Sequence, residues 1–275
     1  MLYLPPWRCS EQLILSDKSI KLKMKISKIF ITGGSQGIGG GFNWDKVIDI
    51  YKTQFNLSIN SRFDVTYPTI LSKYFNCDVV FEGEFGGSIN RLINKTYDYI
   101  FNNDVADTLF IIEMPPGWRD EFYSIELGRN INMTIGNILS PDDETDLASG
   151  NDIKDLHKIH KDITNYFYKF VDYNRDRKRW MNGVMGLLSY FKLNNLNYIL
   201  IDSGDFQTYL RLNNLNESDY NFLWFDNGNA MNNWINDNNL TIKKETNGLS
   251  NDEHMGIEGH QMVADRIINY LHEKN

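Results

Sequence analysis

Cysteine is nearly absent from this chain: two residues, Cys9 and Cys77, in 275. Two thiols build no disulfide framework, which excludes a small cross-linked secreted scaffold and favours a reduced compartment. Proline is sparse at six residues, and there is no Pro-rich linker. Basic charge is in deficit, with 28 Lys and Arg against 36 Asp and Glu and a net charge of −8. That balance gives no electrostatic footprint for nucleic acid. No apolar run reaches the length of a membrane span. Residues 1–8 lack the charged-then-apolar order of a secretory signal, so the expected location is cytoplasmic.

What remains is core material. Hydrophobic residues make up 41% of the chain and aromatics 13%, which argues against disorder and suffices for one large domain. The organising stretch is residues 28–41, Lys-Ile-Phe-Ile-Thr-Gly-Gly-Ser-Gln-Gly-Ile-Gly-Gly-Gly. A short β-branched run that ends in glycines reads as a buried strand feeding a loop. Similar runs stand at 77–83, 108–114 and 197–202. Between them, apolar residues recur at helical spacing: Trp44, Val47, Ile48 and Tyr51; then 67–71, with Pro68 in the first turn. Ile89, Leu92, Ile93, Tyr97 and Ile100 follow a Ser88 N-cap, and Val263, Ile267, Ile268 and Leu271 form the closing stripe.

Strands alternating with helices predict a mostly parallel sheet covered on both faces, a three-layer α/β/α fold. The expected organisation is an N-terminal extension over 1–26, then one domain over 27–275 with an insertion around 117–195. Residues 120–150 read as a polar, irregular excursion. Residues 152–194 read as a long helical region, either two helices or one bent near Gly183 and Gly186. Residues 222–225 and 240–242 are weaker strand candidates.

In such sheets ligands sit at the carboxyl ends of the strands. That edge collects Ser35 after the first strand, Gly86 and Gly87 after the second, and Trp118 and Arg119 after the third. Ser35 has two meanings: a nucleophile on a tight turn, or part of a glycine loop that cradles a dinucleotide phosphate. A nucleophile needs a base. Of the five histidines, His157 and His160 fall in the long helical region, His272 in the tail and His260 inside the last helix. His254 stands in a turn before that helix with Asp252 two residues upstream, where a carboxylate can fix the imidazole tautomer.

Together these pieces resemble the SGNH/GDSL hydrolase superfamily, and more particularly its divergent members in bacteriophage and virus genomes. The resemblance rests on Gly33-Gly34-Ser35, on Phe85-Gly86-Gly87-Ser88-Ile89-Asn90, on Trp118-Arg119-Asp120-Glu121-Phe122-Tyr123, and on Asp252-Glu253-His254 followed by Gly259, His260 and Ala264. It implies a flavodoxin-like fold and hydrolysis of oxygen esters, often acetyl or acyl groups on glycans or lipids, with no metal or organic cofactor. It also implies Ser35 as nucleophile, His254 as base and Asp252 as its orienter. The resemblance further implies an oxyanion hole from the backbone N–H groups of Ser35 and Gly86, with Gly87, Ser88, Asn90 and Arg119 on the substrate side. Three positions depart from the pattern. Gly34 replaces the acid before the serine, Asn251 stands where the orienting Asp is usual, and Arg119 stands near the place of the oxyanion Asn.

Two other readings remain open. Thr32-Gly33-Gly34-Ser35-Gln36-Gly37-Ile38-Gly39 resembles the short-chain dehydrogenases and would imply NAD(P). The Tyr-x-x-x-Lys pair that this chemistry needs occurs only at Tyr270 and Lys274. The same fold could also serve as a non-catalytic virion or glycan-binding module.

Overall fold

Four β-branched runs pair side by side because each carries apolar side chains on both faces, and only a sheet covered twice keeps them dry. The computed structural model describes residues 25–34, 36–37, 39–40, 45–57, 59, 61–83, 87–115, 120–124, 129–133, 173–202, 210, 215–225 and 230–274. Within these, strands β1 (Lys28–Thr32), β2 (Asp78–Phe81), β3 (Thr108–Met114), β6 (Asn197–Asp202) and β7 (Phe222–Leu223) form a sheet of order β2-β1-β3-β6-β7. Every pairing in it is parallel. The strand order reverses at β1, and the crevice between the carboxyl ends of β1 and β3 is the switch point where ligands bind in such sheets.

The period-2 alternation sorts the strand residues into two cores. Ile29, Ile31, Leu109, Ile111, Ile199 and Ile201 face one side. There they meet α2 (Tyr67–Phe75), α5 (Met231–Asp237) and α7 (Ile257–Lys274) through Leu71, Trp234 and Val263. Phe30, Phe110, Ile112 and Leu200 face the other side. They meet α3 (Ile89–Asn102) and α4 (Tyr173–Leu193) through Leu92, Trp180 and Phe191. This is the three-layer α/β/α arrangement, and the 2-1-3 start of the strand order is the flavodoxin-like one. Helix α1 (Asp45–Phe55) packs Val47 and Tyr51 against Ile59 and Ile242 in a smaller cluster.

Two expectations change. Residues 120–150 do not read out as irregular throughout: β4 (Asp120–Ser124) and β5 (Arg129–Met133) pair antiparallel, with Phe122 opposite Ile131. Residues 240–242 are no strand. Thr241 makes a single bridge to Met255 and then caps the short helix α6 (Ile242–Glu245), its hydroxyl accepting from the Lys244 N–H. β-branched residues suit strands, but a threonine oxygen suits an N-cap equally well, and the cap wins here. The helical segment runs unbroken from Tyr173 through Gly183 and Gly186 to Leu193. Gly186 has open space where a side chain would stand. Residues 1–24, 152–172 and 205–209 lie outside the described residues. Among the described residues, no helix is long and apolar enough to cross a membrane.

Candidate active site

The imidazole of His254 is held by the acid two residues before it. Asp252 Oδ1 lies 2.7 Å from His254 Nδ1 and also accepts the His254 backbone N–H at 2.8 Å. One carboxylate oxygen thus fixes both the ring and the turn. Asn251 is exposed. The Asp252 side chain is 3% exposed and the His254 side chain 34%. Burial pushes the Asp252 carboxyl up, but the hydrogen bonds from the His254 ring and backbone, with the imidazolium charge, outweigh it and hold the group below the usual carboxylate range. An ionised acceptor at Nδ1 keeps the proton there and leaves Nε2 as the basic nitrogen.

The turn is laced to the α6 segment. Lys243 N–H donates to the Asp252 carbonyl and Ile242 N–H to the His254 carbonyl, both at 2.8 Å, and Gly256 N–H donates to the Leu240 carbonyl at 2.8 Å. Glu245, on α6, then anchors the start of α7. Its carboxylate accepts from the N–H groups of Ile257 (2.9 Å), Glu258 (3.0 Å) and Gly259 (3.4 Å), and from the Tyr51 hydroxyl (2.7 Å). An acid at a helix N-terminus answers both the orphan donors and the dipole. Gly256 is glycine because a Cβ there would come within 2.3 Å of that carboxylate.

Burial pushes the Glu245 carboxyl from 4.5 up to about 7, against the pull of its donors. Between those values the folded chain holds a proton that the unfolded chain has released, so stability falls as pH rises. The contribution lost across that window is about 3 kcal/mol. Glu245→Gln removes the titration. It is expected to unfold more readily than wild type at about pH 5 and to close most of that gap by about pH 8, as urea unfolding would measure. A gap independent of pH would contradict this assignment.

Among the described residues, the glycine turn after β1 meets the histidine turn through Gln36. Gln36 Oε1 accepts the Met255 N–H at 2.8 Å across 219 residues. The residue after Ser35 is therefore bonded to the residue after His254. Gly39 closes the turn with φ 72° and donates to the Gln36 carbonyl at 3.1 Å. Ser35, Gly86 and Arg119 themselves lie outside the described residues. Gly87 is buried, and Ser88 is buried with its hydroxyl accepting the Arg91 N–H at 3.1 Å, the expected cap of α3. Asn90 is half-buried in the first turn of α3.

The floor of the glycine turn was not foreseen. Glu113, in β3, is 2% exposed, and its Oε2 accepts the Tyr67 hydroxyl at 3.0 Å. A Cβ on Gly33 would stand 2.5 Å from Glu113 Cβ, and one on Gly37 would stand 2.6 Å from Glu113 Oε2. The turn is glycine-rich at these two positions because an acidic side chain fills the space beneath it. An acid there disfavours a pyrophosphate, which the dehydrogenase reading requires. The strand order tells the same way, since dinucleotide-binding sheets run 3-2-1-4-5-6. The signal for Glu113 was legible: it is the one charged residue in a fully buried, mostly apolar strand. Glu245 and Gln36 carried no such mark.

No protein-family model and no curated protein sequence matches the chain. Among solved structures it is similar to a G-D-S-L family protein from Desulfitobacterium hafniense, with a TM-score of 0.41 at 10% identity over 89% of this chain and 99% of that one. It is similar to a GDSL-like lipase from Bacteroides thetaiotaomicron, with a TM-score of 0.38 at 9% identity over 90% and 89%. It is also similar to a catalytic mutant of an acetylxylan esterase from Geobacillus stearothermophilus, with a TM-score of 0.32 at 12% identity over 91% and 96%.

Proposed function

We propose that the chain is a serine ester hydrolase acting on a small acyl ester, such as an acetyl group on a glycan. Ser35 is the nucleophile, His254 Nε2 its general base, and Asp252 the group that orients the ring. The observation that carries this reading is the Gln36–Met255 hydrogen bond beside the Asp252–His254 pair. It joins the serine turn to a histidine whose tautomer is already set. His254 takes the Ser35 proton as the hydroxyl attacks the ester carbonyl, then gives that proton to the leaving alcohol. Water reverses the same steps to release the acid. Backbone N–H groups at Ser35 and Gly86, with Arg119, receive the developing oxyanion charge. A cavity of about 290 Å³ lies on the α2 and β2 side of the glycine turn, lined by Gly37, Phe63, Thr66, Pro68, Val79 and Phe81.

The test is steady-state hydrolysis of 4-nitrophenyl acetate by wild type and Ser35→Ala. Saturable turnover by the wild type, lost in the variant, is the expected result. Equal rates in both proteins would remove the hydrolase reading and leave the non-catalytic module.

A further inference from the structure

Residue 34, directly before the serine, is a glycine, so the serine turn carries no acid of its own. A carboxyl group is nevertheless present beneath it. Glu113 occupies a position on β3 in line with Leu109 and Ile111, on the face that packs against α2 and α7. Its side chain fills the volume that Cβ atoms on Gly33 and Gly37 would need, so the turn wraps over it at both ends. Burying a carboxyl among isoleucines is costly unless it is bonded, and Tyr67 meets it with a hydroxyl. Tyr67 in turn donates its backbone N–H to Nδ1 of the fully buried His260 at 3.3 Å. The buried chain Glu113–Tyr67–His260 therefore joins three elements: β3 under the serine turn, the start of α2, and the helix that follows His254.

We propose that Glu113 is a positioning residue for the turn that carries Ser35, supplying from β3 the acid that the chain lacks at position 34. This rests on the reading of Ser35 as nucleophile. Among the described residues, the Glu113 carboxylate meets the Tyr67 hydroxyl. It packs under the backbone at residues 33 and 37, the positions on either side of the serine. A purely apolar residue of similar size would fill the same space without a polar tie to Tyr67, and the turn would lose its link to α2 and α7. Small displacements of a nucleophile are expensive in rate: a shift near 1 Å costs about a hundred-fold.

The experiment compares wild type, Glu113→Gln, Glu113→Ala and Tyr67→Phe by 4-nitrophenyl acetate kinetics and by hydrogen exchange of the peptide spanning residues 32–40. Glu113→Gln keeps shape and one acceptor, and is expected to lower kcat about ten-fold with KM unchanged; Glu113→Ala is expected to lower kcat about a hundred-fold. Exchange across 32–40 is expected to quicken in the same order while α3 and α4 keep wild-type protection. Should Glu113→Ala fail to fold, Glu113→Gln and Tyr67→Phe carry the same comparison. Wild-type kcat and wild-type exchange in the folded Glu113 variants overturn the proposal. So does a loss of thermal stability with neither kcat nor turn exchange altered, because that is a packing role. If the wild type itself does not hydrolyse the ester, the Ser35 reading fails, while the exchange data still decide whether Glu113 holds the turn.

Discussion

His254→Ala is expected to lower kcat/KM for ester hydrolysis by about 10⁴- to 10⁶-fold, because on the proposed mechanism the serine loses its base and the leaving group its acid. The fold is expected to survive the change. The ring is partly exposed, and the turn is held by backbone bonds that alanine keeps, from Ile242 N–H to the carbonyl of residue 254 and from Gly256 N–H to Leu240. The cost to stability has a different origin. Asp252 is buried and owes much of its lowered carboxyl to the imidazole. Without the ring it retains the backbone N–H of residue 254 but loses its side-chain hydrogen-bond partner, which costs about 1–3 kcal/mol. Activity and stability therefore fall by unequal amounts. Kinetics and urea unfolding on one preparation separate them.

Asp252→Asn is the second large effect, and it reverses that balance. The amide is nearly isosteric and carries no charge, so no ion is left unpaired in the interior. Its oxygen can still accept from the backbone N–H of His254. On the proposed mechanism it no longer stabilises the imidazolium that would form as Ser35 attacks, and the amide competes for the ring tautomer. A loss of about 10²- to 10⁴-fold in kcat, with KM nearly constant, is expected. The stability curve changes as well. A carboxyl held low in the folded state contributes stability above its unfolded pKa, and that contribution disappears as pH falls through the folded value. Wild type should therefore lose stability on acidification more steeply than Asp252→Asn, as thermal unfolding across the acid range would show. Parallel curves would mean that the Asp252–His254 bond contributes little to the fold.

Much of the scaffold was legible because its signals are local. The runs at 28–32, 108–114 and 197–202 are strands since β-branched residues fill a surface buried twice. Pro68 and Ser88 mark helix starts by their own chemistry. The hairpin of β4 and β5 was missed because its strands are mostly polar, although Phe122 and Ile131 stand opposite each other. The candidate site divides along the same line. Asp252 and His254 are two residues apart, so their pairing could be read from sequence. Glu245 and Gln36 act across distance: the first reaches Tyr51 over 194 residues, the second Met255 over 219. No local pattern encodes such contacts, because they exist only after the sheet has brought β1 beside the segment before α7. Glu113 is intermediate. Its oddity in an apolar strand was visible, but its place under Gly33 and Gly37 required the β1–β3 register, in which Thr32 stands opposite Ile112.

The central claim is that the serine turn and the histidine turn form one reactive centre. A fluorophosphonate probe tests it most directly, since it reacts with an activated serine hydroxyl and leaves a covalent mark. Wild type and His254→Ala would be labelled side by side, and the adduct located by peptide mass spectrometry. The account predicts a single adduct on Ser35 in the wild type, forming at least about a hundred-fold more slowly in His254→Ala. An adduct on another residue, or equal labelling rates in the two proteins, would contradict it.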